Sequence, residues 1–363
     1  MGIYVGIEGT ARKVKKVYIG EGNTARKVKK AYAGINNVAK QFFASEKKII
    51  HELAEELSVA RYSLAATNVG DYAIFAGGYT ASSQTDAYNS SLTKVPVLNL
   101  SVARYGLAGS NVGNYALFAG GTNSSGSTQN TVDTYDSSLT KGTATTLTYA
   151  YSGMRGAKAG NYALFAGGSN ITTTVYAYNT SLTRSSPTNL SFFTAGLAGA
   201  SNGGFALFAG GNNANSMNNA VNAYNVSLTR TILTNLTQAR TLLAGTNIGT
   251  FALFGGGYDS GNKNTVDAYN TSMTRSTPTP LLTARTALAG AQNNEYALFG
   301  GGEGSNIVDA YDPSLTRSNP DRLSNAAGYL AATNVGKYAL FAGGAKSDLS
   351  TKYASVNVYY CET

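Results

Sequence analysis

The segment NYALFAGGTNSSGSTQNTVDTYDSSLTK, residues 114–141, carries the two phrases on which the fold reading turns. A five-residue apolar run from Tyr115 to Ala119 ends at Gly120-Gly121. A polar loop follows, then a second run ending at Tyr135, then an Asp-Ser-Ser-Leu turn. Apolar runs this short, bounded by Gly and Ser/Asn clusters, read as strands; a helix of about 10–12 residues would have to cross the Gly doublet. YALFA alternates large and small side chains, which suits a strand buried on both faces. The Gly pair permits backbone angles and close approaches that other residues resist.

The first phrase recurs seven times, opening at Tyr72, Tyr115, Tyr162, Phe205, Phe251, Tyr296 and Tyr338, in steps of 43, 47, 43, 46, 45 and 42 residues. That period is the length of one four-stranded propeller blade. The second phrase follows the first six copies: DAYNSSLTK (86–94), DTYDSSLTK (133–141), YAYNTSLTR (176–184), NAYNVSLTR (222–230), DAYNTSMTR (267–275) and DAYDPSLTR (309–317). A third phrase, as in LSVARYGLAGSNVG (100–113), leads into each YALFAGG. The last unit stops inside its third strand, at ASVNVYYCET (354–363), while EKKIIHELAEELSVARY (46–62) supplies the missing outer strand. The expectation is an all-β, seven-bladed propeller over 46–363, closed by strands from both chain ends, which removes exposed sheet edges.

Residues 1–45 hold a different repeat of 14 residues, with Tyr4, Tyr18 and Tyr32 in register and Gly6, Gly20 and Gly34 following. Its β-branched and aromatic runs between Gly/Asn turns predict a small segment of hairpins. The charge sits here. The chain has 28 Lys+Arg against 19 Asp+Glu, a net +9, of which residues 1–48 contribute +8 and residues 49–363 only +1. A nearly neutral disc argues against nucleic acid as partner, because clustered positive charge supplies that affinity. Arg12, Lys13, Lys15, Lys16, Arg26, Lys27, Lys29 and Lys30 are read as an attachment element for an acidic protein partner.

Composition narrows the chemistry. One Cys and one His among 363 residues exclude an internal disulfide and multi-Cys or multi-His metal centres, and no cofactor is expected. No apolar run is long enough to span a membrane, and the start, MGIYVGIEGTARK, has no apolar signal core.

Gly-Gly after an apolar strand, with a Tyr in the next strand, resembles the kelch-repeat β-propeller family over roughly 46–363. Kelch units usually carry a Trp after that Tyr, and this chain has none. Leu92, Leu139, Leu182, Leu228, Met273 and Leu315, four residues after each Tyr, are expected to fill the space between blades instead. The kelch-like Arg opening each unit is present as Arg61, Arg104, Arg240 and Arg285 and replaced by Tyr151, Thr194 and Ala327 elsewhere. The GTARKVKK–YIG–ARKVKK run ahead of such blades resembles tail-associated and minor structural proteins of phages and prophages of Gram-positive gut bacteria. That resemblance implies a virion protein made in the bacterial cytoplasm, contacting other tail proteins and, as fibres do, forming homo-oligomers.

The loops after each Gly-Gly differ in length and content and should all lie on one face, a common plan for recognition surfaces. Their candidate ligand groups are Tyr79 and Ser82; Asn123 and Ser125; Asn170; Asn212, Asn213 and Asn215; Tyr258, Asp259 and Lys263; Glu303 and Asn306; Lys346 and Asp348. Polar loops with a few Tyr suit a host-surface polysaccharide or a protein epitope, though Asn, Ser and Gly also serve simply as turns. The Arg set is read as bonding strand-end carbonyls or a neighbouring blade, with lining one end of the channel to bind an anion as the alternative. Lys94, Lys141, Arg184, Arg230, Arg275 and Arg317 are read as solvated edge charges. No catalytic constellation is legible: His51 stands alone, Cys361 has no His partner at useful spacing, and Asp259, Glu303 and Asp348 are the loop acids available to a glycosidase pair. The leading expectation is a non-enzymatic tail or tail-tip protein that binds a host glycan. Behind it stand a purely structural virion component and a sugar-active enzyme.

Overall fold

The computed structural model describes residues 4–7, 10–13, 17–21, 24–28, 30–35, 38–44, 48–79, 82–169, 172–192, 194–213 and 216–362. Two compact units are present, Met1–Ile49 with Cys361–Thr363, and Ile50–Tyr360.

The first unit holds three antiparallel hairpins, one per 14-residue repeat: Tyr4–Ile7 with Thr10–Lys13, Val17–Glu21 with Thr24–Val28, and Lys30–Ile35 with Val38–Ala44. Arg12 and Lys13 fall opposite Val5 and Tyr4, and Arg26 and Lys27 opposite Ile19 and Tyr18. Lys30 opens the third hairpin. Lys15, Lys16 and Lys29 lie outside the described residues.

The second unit is a seven-bladed β-propeller of four-stranded antiparallel sheets. Six blades run in chain order, the first being Ala65–Val69, Tyr72–Ala76, Thr85–Asn89 and Lys94–Val95. The seventh joins Ala331–Val335, Tyr338–Ala342 and Val356–Cys361 to Ile49–Ala54, so an outer strand from the start of the chain completes a blade from its end. The first strands of neighbouring blades lie side by side around the axis, that of blade seven against that of blade one.

The YALFA alternation explains the packing. In blade four Leu207, Val221 and Ala223 form one cluster with Phe254 and Tyr269 of blade five. The Leu face of each blade thus meets the Phe–Tyr face of the next. Within a blade that Phe and Tyr meet edge to face, as Phe299 and Tyr311 do at 6.0 Å. Burying each such ring is worth about 1.5–3 kcal/mol. All seven strand-three tyrosines also donate their hydroxyl to a carbonyl of the segment before the first strand, at 2.7 to 3.0 Å. Leu92 and its five counterparts take left-handed backbone angles, φ 59 to 62°, in the turn before the outer strand. Each packs on the adjoining inter-blade cluster, as expected; Leu92 joins that of Leu340 and Tyr88.

Around the axis, backbone packs on backbone. A Cβ added to Gly245 would sit 2.2 Å from the Gly199 carbonyl oxygen, and one on Gly199 2.4 Å from that of Gly156. Glycine at this place in the first strand lets the inner ring close tightly.

Candidate recognition site at the channel mouth

Every Gly-Gly loop leaves the end of its second strand beside the start of its own first strand, as where Ala76 pairs with Ala65. All seven loops therefore lie on one face, around one end of the central channel. There the axis holds a cavity of about 440 Å³, lined by the segments that open the first strands of all seven blades.

A ring of left-handed residues frames this mouth: Ser63, Gly106, Gly153, Gly196, Leu242, Ala287 and Tyr329, with φ between 53 and 69°. For the four non-glycine members that conformation costs about 1–2 kcal/mol each. Backbone hydrogen bonds link the ring from blade to blade and offset the strain. Gly153 donates to Gly106, Gly106 to Ser63, Ser63 to Tyr329, Tyr329 to Ala287, Ala287 to Leu242, and Leu242 to Gly196, at 2.6 to 3.0 Å.

Aromatic rings gather beside the mouth on blades one, two and seven. Tyr79 lies 4.9 Å from Tyr62 and 5.1 Å from Tyr105, and Tyr62 lies 6.3 Å from Tyr329. Tyr79 is 39% exposed, and the Lys352 ammonium sits 5.6 Å above its ring. Tyr329 donates its hydroxyl to Glu303 at 2.7 Å. Burial, reinforced by that carboxylate, pushes the Tyr329 phenol up to about 12.

The other loop candidates divide by what they touch. Asn123 accepts from the amides of Ser125 and Ser127, Asn213 from Ser216, and Asp348 from Ser350, so these side chains shape their own turns. Ser82 accepts from the Gln84 amide. Asn306 donates to the Leu323 carbonyl, and Asn212 accepts from the Thr241 hydroxyl. Lys346 pairs with Asp348 at 3.6 Å on the surface. Asp259 meets the Ser260 hydroxyl at 3.5 Å, and the backbone N–H of Lys263 binds the Gly257 carbonyl. Tyr258, 42% exposed, is the second open aromatic of the loop set. Asn170 and Asn215 lie outside the described residues. The structure brings Tyr79 and Glu303 to the mouth cluster and adds Tyr62, Tyr105, Tyr329 and Lys352, which the loop-based reading passed over. Tyr62 and Tyr105 are visible in sequence as the Arg-Tyr pairs at 61–62 and 104–105.

The four repeated arginines stand away from the cavity. Each is buried and ion-paired with an aspartate of the third strand of its own blade: Arg61 with Asp86, Arg104 with Asp133, Arg240 with Asp267 and Arg285 with Asp309, at 2.7 or 2.8 Å. Each also donates to the carbonyl of the second-strand Phe, at 2.9 to 3.4 Å, as the strand-end reading expects. Burial pushes Arg104, Arg240 and Arg285 below the ordinary guanidinium range, and the paired aspartates oppose that shift. Blades without the Arg also lack the Asp; Tyr176, Asn222 and Asn357 stand in its place. These still accept an amide hydrogen from the incoming segment, as the aspartates do: Tyr149 to Tyr176, Ser191 to Asn222, Ser324 to Asn357. The outer cations are more than solvated edge charges. Arg184, Arg230, Arg275 and Arg317 each donate to a loop carbonyl at 2.5 Å, and Lys94 and Lys141 reach Asp86 and Asp133 at 3.7 and 3.5 Å. His51 stacks on Tyr359 at 4.8 Å and contacts Asn357 at 3.0 Å, a structural role in the closing blade.

No protein-family model and no curated protein matches this chain. Among solved structures it is similar to YjhT, with 12% sequence identity and a TM-score of 0.57 over 85% of this chain and 99% of that one. At this identity the likeness defines a class, the seven-bladed β-propeller, and shows the fold alone.

Proposed function

We propose that the protein is a non-catalytic recognition module of a phage particle, whose loop face binds a host-surface glycan. The observation that carries this reading is the tyrosine cluster of Tyr62, Tyr79 and Tyr105 at the channel mouth, with an exposed ring at Tyr79. Aromatic faces with a polar rim pack well on the C–H faces of sugars while hydroxyls at the rim fix orientation. Support for the particle comes from the basic 14-residue repeats ahead of the blades, which resemble those of tail-associated proteins. In this reading the hairpin segment docks to acidic virion subunits, and homo-oligomers multiply a weak single site through avidity.

Full-length protein assayed on glycan arrays and on whole Gram-positive cells tests it. Tyr79→Ala is expected to weaken binding about tenfold, the loss of roughly 1–1.5 kcal/mol of aromatic packing. Absence of binding at millimolar glycan, or binding indifferent to Tyr79→Ala, removes the reading. In that case imaging that finds the chain between virion subunits would favour a structural role.

A further inference from the structure

The third blade breaks the pattern of the inner ring. Its first strand reads RGAKA from Arg155 to Ala159, where other blades read AATNV, AGSNV or AGTNI. Six blades place Ala at the position of Arg155. Arg155 lines the axial cavity, and no acidic residue shares that lining. Its Nη1 donates to the carbonyls of Met154 at 3.0 Å and Gly153 at 3.5 Å. Among the described residues no carboxylate lies within 4 Å of it, and its Nη2 and Nε have no protein acceptor. The contrast with Arg61, Arg104, Arg240 and Arg285, each neutralised by an aspartate, is direct.

The break continues in the backbone. Six of the seven mouth residues donate an N–H to the preceding blade. The seventh, Gly196, lies next to Arg155's blade, lines the same cavity, and meets no acceptor among the described residues. The Gly153 carbonyl, which the pattern of the ring would pair with the Gly196 N–H, accepts from Arg155 Nη1 instead, so the cation stands at the break in the ring. Burial depresses the Arg155 guanidinium below its ordinary range, with no acid to oppose it. Lys158, the other cation on an inner strand, adds positive potential further along the channel.

We propose that this gap is a binding site for a small organic monocarboxylate, held by the free edge of the Arg155 guanidinium and the Gly196 N–H. A planar carboxylate matches a guanidinium fork, and charge-assisted bonds of this kind are the strong ones. A single cation in the cavity balances one negative charge and leaves a phosphate dianion half-compensated. The remaining wall, mostly Gly, Ala and Leu with Ser63, Met154 and Tyr329, suits an organic body, and the volume falls in the range of small-molecule pockets. The site does not depend on the glycan reading, because its two binding groups lie on the axis and neither belongs to the tyrosine cluster, of which Tyr329 alone reaches the cavity wall.

The test is calorimetric titration of the full-length chain at low ionic strength with sodium glucuronate, glucose and inorganic phosphate. Glucuronate is expected to bind in the millimolar range, glucose not to bind in the cavity, and phosphate to bind more weakly than glucuronate. Arg155→Ala restores the residue that the other six blades carry, so the fold is retained. This variant should weaken glucuronate about 10- to 100-fold. Arg155→Lys keeps the charge without the fork and should fall between the two. Tyr79→Ala should leave glucuronate binding unchanged, which separates this site from the proposed glycan face. Glucuronate binding no tighter than glucose, unaffected by Arg155→Ala, or exceeded by phosphate would overturn the proposal.

Discussion

Replacing Asp309 by Asn, with Arg285 left in place, probes the element that most distinguishes the blades. Both side chains are buried, the guanidinium 2% exposed and the carboxylate 0%, and they meet at 2.7 Å. The substitution keeps the shape and the carbonyl that accepts the Leu282 amide at 2.9 Å. It removes the negative charge, leaving the guanidinium with the Phe299 carbonyl at 2.9 Å as its remaining close acceptor. Breaking one half of a buried pair costs about 3–5 kcal/mol, mostly the desolvation of the charge left behind. Blade four supplies the control, since it pairs Thr194 with Asn222 at these positions. The double variant Arg285→Thr with Asp309→Asn should therefore regain about 2–3 kcal/mol over Asp309→Asn alone, because no fully buried cation is left unpaired; Arg317, the other cation near Asp309, is partly exposed. It should stay about 1–2 kcal/mol below the parent, having lost the packing of the Arg stem. Urea unfolding of the full-length chain, followed by circular dichroism and tyrosine fluorescence, measures all three; coincident transitions license the free energies. A double variant no more stable than Asp309→Asn would refute the account, since packing or hydrogen bonding, and not an orphaned charge, would then set the cost.

Two further predictions concern the inner ring and the core tyrosines. Gly245→Ala, whose Cβ would stand 2.2 Å from the Gly199 carbonyl oxygen, should destabilise by about 1–3 kcal/mol, whereas Gly126→Ala, with nothing within 4 Å and φ of 78°, should cost only about 1 kcal/mol of left-handed strain; equal losses in urea midpoints would contradict the backbone-contact argument. Burial holds Tyr135 up to about 12 from an ordinary 10.0, and raises the equivalent tyrosines of the other blades as well. The unfolded chain ionises first, so this stability is complete below pH 10 and drains away through pH 12. The expected result is one cooperative opening in that window, with tyrosinate absorbance and loss of circular dichroism rising together. Full ionisation near pH 10 with the dichroism intact would show the phenols to be solvated.

The sequence alone determined the blade count, the strand order and the closure. Each rests on local periodicity: apolar runs of five, punctuating Gly pairs and a period near 45 are legible without any knowledge of neighbours. It also contained, unread, the signal that Arg and Asp appear together in four blades and vanish together in three. Only the folded ring showed why, because residues some 25 positions apart become a buried pair only when strand three lies beside strand two. The site divides the same way. The loop set and its common face follow from repeated connections, yet most of its Asn and Asp side chains turn out to be spent on their own turns, a fact set by hydrogen-bond geometry. Tyr62, Tyr105, Tyr329 and Arg155 became neighbours of one opening because seven strand starts converge on an axis. No linear pattern carries that convergence, since proximity around a closed ring is a property of the closure itself.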